Sequence, residues 1–378
     1  MNRKLIGAAI VVALSLFSSC RDEDSSPNNG HVAPQMIKMK VDVKLQVGEF
    51  LYENIETPID ITGFDDANNV KWSNTFSFVG PTDTLQVLSG FDHYTISIDK
   101  WGVTDNQTIT AKQLYDGRAD GPATVTYGLG GKVPYIRKPI FTLQYWGGPT
   151  DMKVQSRTEY SYNPSGTVRR ITYYENYTND STAAIPSRYQ TFEYESGTDR
   201  LTKLTTYYQE NNFKASEDNY EYGVDGNLLK ITESNYAAAL TSAMNLSVDA
   251  SAQKIKASYS YSNGRGFDYE FTYNYKNLVS DKTTQGSETC NNGAYTYDRN
   301  INPFKHLGYV PYLVSDTYSI NNRITENIDY IACGFPVLVP TSHSYKYDDL
   351  GYPTEKITKY KDTTLTSAEK YYYVTFGQ

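Results

Sequence analysis

The sequence predicts an all-β protein: an N-terminal β-sandwich followed by a tyrosine-rich β-hairpin-repeat barrel or strongly curved meander sheet. Three observations carry this. Short segments alternate apolar and polar residues with period two, and glycine- and proline-containing turns separate them. From residue 160 onward an aromatic-x-Tyr hairpin pattern recurs. The composition agrees, with 36 Tyr against 14 Phe and 3 Trp, and 26 Gly. Abundant Tyr and Thr favour strands, and large rings can build a core in an otherwise polar chain.

Taken in order, the first element is not part of the fold. Arg3 and Lys4 precede an apolar run from Leu5 to Phe17, shorter than the ~20 residues needed to span a bilayer. Ser18 and Ser19 then lead to Cys20, so residues 1–19 read as a signal peptide. The placement of Cys20 resembles the lipobox of bacterial lipoproteins, with Phe17 standing where that pattern prefers an aliphatic residue. Arg21-Asp22-Glu23-Asp24 resembles the export signal of Bacteroidota surface lipoproteins. The resemblance implies that Cys20 is acylated and held in outer-membrane lipid, which places the chain on the cell surface. Residues 20–35 then serve as a polar tether.

Charge narrows the partners. The chain carries a formal charge of −8, and removing residues 1–19 takes away Arg3 and Lys4 and no acid, leaving about −10. That balance, without a Lys/Arg cluster, argues against nucleic acid as a partner. Beyond Cys20 the cysteines are Cys290 and Cys333. Outside the cytoplasm they can pair, or they can be two small buried apolar residues; both readings stand.

Residues 36–146 read as the sandwich. "MIKMKVDVKLQV" places Val41, Val43, Leu45 and Val47 on one face. Further strands are expected at "TPIDITGF", "TFSFVG", "DTLQVL", "HYTISID", "ATVTYG" and "IFTLQYW". Seven short strands suggest an immunoglobulin-like or related two-sheet arrangement, with Trp72 and Trp101 filling its core. "TAKQLYDG" predicts one short helix between Thr110 and Gly117. "YWGGPT" (145–150) marks the boundary.

Residues 150–378 form the second domain. "YSYNPSGTVRRIT" at 160, "FEYESGTDRLTKLT" at 192, "YEYGVDGNLLKIT" at 220 and "YKYDDLGYPTEKIT" at 345 share one form. Less complete copies begin at Tyr259, Phe271 and Tyr295. Rings at i and i+2 share a strand face, and Gly166, Gly197, Gly226 and Gly351 supply turns with positive φ. Each unit is therefore a hairpin, and successive hairpins make a meander. "YAAALTSAMNLSVD" (236–249) stays open: its alternation favours a strand and its alanines a helix.

"YTYDRNINPF" and "YKYDDLGYPTEKIT" resemble a Bacteroidota domain family of unknown function with a porin-like fold, over roughly residues 150–378. The repeats are also similar to tyrosine–aspartate (YD) repeats of bacterial shell and adhesion proteins, with Asp at the repeat position only at Asp298 and Asp348. Neither resemblance supplies catalytic residues. The alternates expected to face outward are Ser, Thr, Glu, Lys and Asn, which predicts a water-facing barrel tethered to the membrane and not spanning it.

Chemistry is sparse. His31, His93, His306 and His343 are isolated from one another and from cysteine, so no metal site is expected. "DRNIN" begins like a calcium loop, but Pro303 replaces the required glycine and Tyr309 the final glutamate; Asp298 is expected to cap a turn. Asp65/Asp66 and Asp348/Asp349 are turn residues, and no cofactor motif is present. What remains is the aromatic surface. Tyr173, Tyr174, Tyr207, Tyr208, Tyr371 and Tyr372 stand in consecutive pairs, so one ring of each pair faces out of the core. Cross-strand pairing accounts for such rings as well as ligand contact does. The leading expectation is a non-catalytic surface protein that captures a glycan or an extracellular protein, or serves a structural role. The alternatives are a carbohydrate hydrolase with dispersed carboxylates and a YD-like shell.

Overall fold

The computed structural model describes residues 34–53, 55–80, 82–111, 125–147, 152–175, 186–307, 319–330, 333, 340–361, 364 and 366–377. The first eight strands are β1 (Met36–Val47), β2 (Phe50–Tyr52), β3 (Glu56–Phe64), β4 (Val70–Val79), β5 (Thr82–Leu88), β6 (His93–Lys100), β7 (Val103–Thr110) and β8 (Val125–Lys132). They form two four-stranded sheets. One has the order β2-β1-β5, with β8 parallel to β1 on its other edge; the second has the order β4-β3-β6-β7.

The period-two pattern of β1 decides its burial. Ile37, Met39, Val41, Val43, Leu45 and Val47 are all buried in one core with Ile59, Ile61, Ile96 and Ile98 of the second sheet. Each such side chain contributes ~1.5–3 kcal/mol relative to exposure. Trp101 joins this core, and Trp72 packs at its edge. Strand β7 is an addition to the expected set, because "VTDNQTIT" is mostly polar and offers only Val103 and Ile109 to the core. Trp101 and Gly102, both at positive φ, make the two-residue turn that brings β7 back onto β6. The helix expected over 110–117 lies, beyond Ala111, outside the described residues.

The other strands are β9 (Tyr135–Gly147), β10 (Lys153–Tyr162), β11 (Val168–Tyr174), β12 (Pro186–Tyr194), β13 (Leu201–Tyr208), β14 (Phe213–Tyr222), β15 (Leu228–Asn235) and β16 (Leu240–Asp249). They continue with β17 (Lys254–Tyr261), β18 (Gly266–Asn274), β19 (Asn277–Gln285), β20 (Glu288–Ile301), β21 (Asn321–Tyr330), β22 (Thr341–Tyr347), β23 (Pro353–Tyr360) and β24 (Thr366–Gly377). These sixteen strands form a closed antiparallel barrel in sequence order, sealed by β24 against β9. The segment 236–249 resolves into a turn followed by strand β16.

The closing strand corrects the domain boundary. "IFTLQYW" alternates like a sandwich strand, yet it lies within β9 and pairs with β10 and β24. The barrel therefore begins at Tyr135 and not at 150, and the sandwich ends with β8.

The repeat has a structural cause. Gly166, Gly197, Gly226 and Gly351 all have φ between 79° and 87° in the turns joining the paired strands. After each turn the return strand starts with a register shift opposite the second Tyr, as at Tyr162/Val168, Tyr194/Leu201, Tyr222/Leu228 and Tyr347/Pro353. That irregularity leaves a carbonyl outside the regular ladder, and the next unit's tyrosine donates to it. Tyr194 Oη donates to Val168 O (2.9 Å), Tyr222 Oη to Leu201 O (2.9 Å), and Tyr373 Oη to Pro353 O. Tyr194 and Tyr222, the second tyrosines of their units, thus latch each to the preceding one and satisfy a partly buried acceptor, whereas Tyr347 of the last unit donates to Asp298.

One row shows which face is which. Val248, Ile255, Phe271, Asp281 and Gly293 are successive cross-strand neighbours, and Ile255 and Phe271 lie in the barrel's apolar cluster with Leu307 of the 3₁₀ helix Pro303–Leu307. The adjacent row on the opposite face is Ser247, Lys256, Glu270, Lys282 and Asn292. The inside is apolar near the sandwich, and the outer wall over these strands is charged. A lipid-facing wall would be a band of apolar side chains.

The sandwich packs on one end of the barrel. Ile301, Ile320 and Tyr352 of the barrel belong to the sandwich core, and Tyr52 Oη donates to Ile320 O at 2.9 Å.

Candidate functional site

The six singled-out tyrosines separate by face. Tyr372, Phe141, Glu159, Thr172, Tyr189 and Tyr207 are successive cross-strand neighbours across β24, β9, β10, β11, β12 and β13. This row lies opposite Tyr160 and Ile171, which belong to the barrel interior, so it faces outward. Tyr174 shares that face. Tyr173 faces inward and packs on the interior cluster, and Tyr371 is 6% exposed with its ring 5.9 Å from that of Phe304. Tyr208 stands on the inward face at the rim, beside Phe213. Tyr173 and Tyr371 lie on the inner face, because alternation turns them away from the outer wall. Phe141, Tyr189, Arg157 and Arg170 are additions: as single residues spread over four strands, they form no local pattern.

The outward residues form two stacks. In one, Phe141 and Tyr372 lie 4.2 Å apart at 19°, and the Arg157 guanidinium sits 4.6 Å from Phe141. In the other, the Arg170 guanidinium sits 3.8 Å from Tyr189, which stacks on Tyr207 at 4.9 Å and 15°. Glu159 joins them, paired with Arg157 and accepting from Tyr174 Oη at 2.8 Å. Arg170 also donates to Gln209 at 3.3 Å. Each stack ends in a tyrosine, and Tyr372 is 40% exposed.

The acidic groups serve other ends. Asp65 caps its turn through Ala67 and Asn69, and Asp348 through Leu350 and Tyr352. Asp298 accepts from the amides of Asn300 and Asn322, both at 3.0 Å. No group of three His, Cys, Asp or Glu able to hold a metal occurs among the described residues. Cys290 and Cys333 are joined as a disulfide, with Cα atoms 5.4 Å apart. Cys20 lies outside the described residues.

Two carboxyl groups face each other inside the barrel wall. Asp218 and Glu233 are cross-strand neighbours on the inner face. Glu233 accepts from Tyr259 Oη (2.8 Å) and Ser242 Oγ (2.9 Å). Burial, with the charges of Glu233 and Glu217, pushes Asp218 up to about 7. However, Asp218 is 5% exposed, and the cavities at the rim and at the sandwich junction are lined by other residues. Asp218 is thus enclosed, whereas Glu233 is half-buried.

Asp218 and Asp298 should shape the pH dependence of stability. Asp218, and Asp298, which burial pushes up to about 6, bind protons more tightly folded than unfolded. Their contribution is complete below about pH 4 and is lost as pH rises through 6 and 7. Asp218→Asn is therefore expected to raise the melting temperature more at pH 8 than at pH 5. An equal shift at both values would refute this assignment.

Solved structures similar to the chain include a porin-like protein from Bacteroides uniformis, at a TM-score of 0.41 and 13% identity over 62% of this chain and 98% of that one. A porin-like protein from Bacteroides vulgatus matches at 0.33 and 11% over 63% of this chain and 99% of that one. The TcdB2-TccC3-Cdc42 structure matches at 0.28 and 11% over 84% of this chain and 16% of that one. No family model matches the chain, and no curated protein does. The chain is an all-β barrel protein, and porin-like proteins of Bacteroides are among the structures similar to it.

Proposed function

We propose that the protein is a surface-exposed outer-membrane lipoprotein, anchored through Cys20, that captures an extracellular glycan without transforming it. The observation that supports this most is the gathering of outward rings on β24, β9 and β11–β13, on a barrel whose wall over β16–β20 is charged. Latching the repeats explains Tyr194 and Tyr222, but it does not explain this row. Tyrosine offers a large, stiff, amphipathic area to a sugar face. Arg157, Glu159 and Arg170 bring charged hydrogen-bonding groups beside the rings, the pairing that a ring with hydroxyls needs.

The test is retardation of the mature chain, made soluble by Cys20→Ser, in gels containing plant, mucin or microbial polysaccharides. Retardation without release of reducing ends is the expected result. Tyr207→Ala and Tyr372→Ala should each weaken it by about 3–10-fold, the equivalent of one aromatic contact. Release of sugar would overturn the non-catalytic reading. No retardation across the panel would remove the glycan and leave a protein ligand or a structural role.

A further inference from the structure

At the barrel rim beside the outward row lies a cavity of about 550 Å³ whose lining includes Trp146, Ser156, Arg157, Tyr173, Glu175 and Arg188. Uneven strand ends open it. β11 ends at Tyr174, which pairs with Arg157, so residues 153–156 of β10 have no β11 partner. A register shift between Val154 and Ser156 bends the same stretch against β9. The notch joins the two faces of the wall, with Tyr173 and Trp146 from the inner face and Arg157 from the outer one.

Its chemistry is distinctive in a chain of charge −8. Two guanidinium groups line it against one carboxylate, Glu175. Arg188 lies 4.5 Å from the Tyr173 ring, and its contact with Glu175 is loose at 3.8 Å. Arg157 is paired with Glu159 on the outer face and stacked on Phe141. Arg188 holds the longer of the two ion pairs, so a ligand carboxylate can give its guanidinium a closer acceptor than Glu175 does. Trp146, stacked on Tyr360 at 5.4 Å, adds an aromatic wall.

We propose that this rim cavity binds the carboxylate of an acidic sugar, a hexuronate unit of the captured glycan, through Arg188, with the charge of Arg157 at the cavity's outer edge and Trp146 against the sugar ring. The inference rests on glycan capture and specifies its ligand class. A planar carboxylate fits the guanidinium fork, and a neutral hydroxyl cannot supply the charge. A sulfate ester offers similar oxygens, so the experiment separates the two.

The mature Cys20→Ser chain is run in gels containing polygalacturonate, its methyl ester, dextran sulfate or a neutral glucan. The expected result is strong retardation by polygalacturonate, falling about tenfold or more on esterification, the scale of one charged hydrogen bond. Arg188→Gln should lower polyuronate affinity by a similar factor while retardation by any neutral glycan persists, which also shows that the variant is folded. Equal retardation by acid and ester, or an Arg188→Gln variant with unchanged polyuronate affinity, would overturn the acidic-sugar assignment and leave capture standing. Retardation by dextran sulfate alone would overturn the uronate in favour of a sulfate. No retardation by any of them would overturn the acidic-sugar assignment, while glycan capture is decided by the wider polysaccharide panel.

Discussion

Replacing Tyr352 with alanine is expected to lower stability by ~3–5 kcal/mol and to split one thermal transition into two. Tyr352 belongs to the turn between β22 and β23 of the barrel, yet it is fully buried in the core of the sandwich. Its hydroxyl accepts from the Arg137 amide at 3.2 Å, and its ring lies 5.7 Å from Tyr373 and 6.3 Å from His306. The preceding Gly351 has a φ of 79°, and a Cβ there would meet Trp101 Nε1 at 2.1 Å. The turn is thus pressed against the sandwich, and removing its ring leaves a cavity where the two parts meet. Calorimetry reads the result directly. A single transition shifted by less than the equivalent of ~1 kcal/mol would mean that the ring does not couple the two parts.

Removing the Cys290–Cys333 disulfide should cost a similar amount. The bond spans 43 residues of sequence, for which the loop-entropy relation gives ~4 kcal/mol. It lies just beyond the last β20–β21 pair, Asn291 with Tyr330, so it ties the segment after β21 to the wall. The Cys290→Ala/Cys333→Ala double variant avoids a stray thiol. Its urea midpoint should fall well below that of the oxidised protein and match that of the reduced one. A midpoint unchanged by reductant would show that strand pairing alone holds this end.

Much of the architecture can be read locally. The β1 alternation predicts its buried face, and the repeated aromatic-x-Tyr with its glycine predicts the hairpins, because both patterns lie within one or two strands. The donor role of the second tyrosine is not legible, since its acceptor is a carbonyl freed by a register shift in the preceding unit, as with Tyr194 and Val168. The membership of β9 in the barrel depends on pairing with β24, more than 200 residues later. That period-two alternation separates consecutive tyrosines holds for Tyr173 and Tyr174, but which ring faces out is set by registers no short stretch displays. The outward row and the rim cavity combine residues from several strands, such as Arg157 on β10 and Arg188 on β12. Their local surroundings carry no motif.

The central claim is that the barrel wall faces water at the cell surface and presents a ligand-binding face there. Labelling intact cells that make the chain with a membrane-impermeant amine reagent, followed by peptide mapping, tests it most directly. The account predicts modification of Lys230, Lys256 and Lys282 on the outer wall, as well as of lysines in the rim turns. Protection of these wall lysines, with labelling confined to the rims, would contradict it, because it would put that wall in lipid.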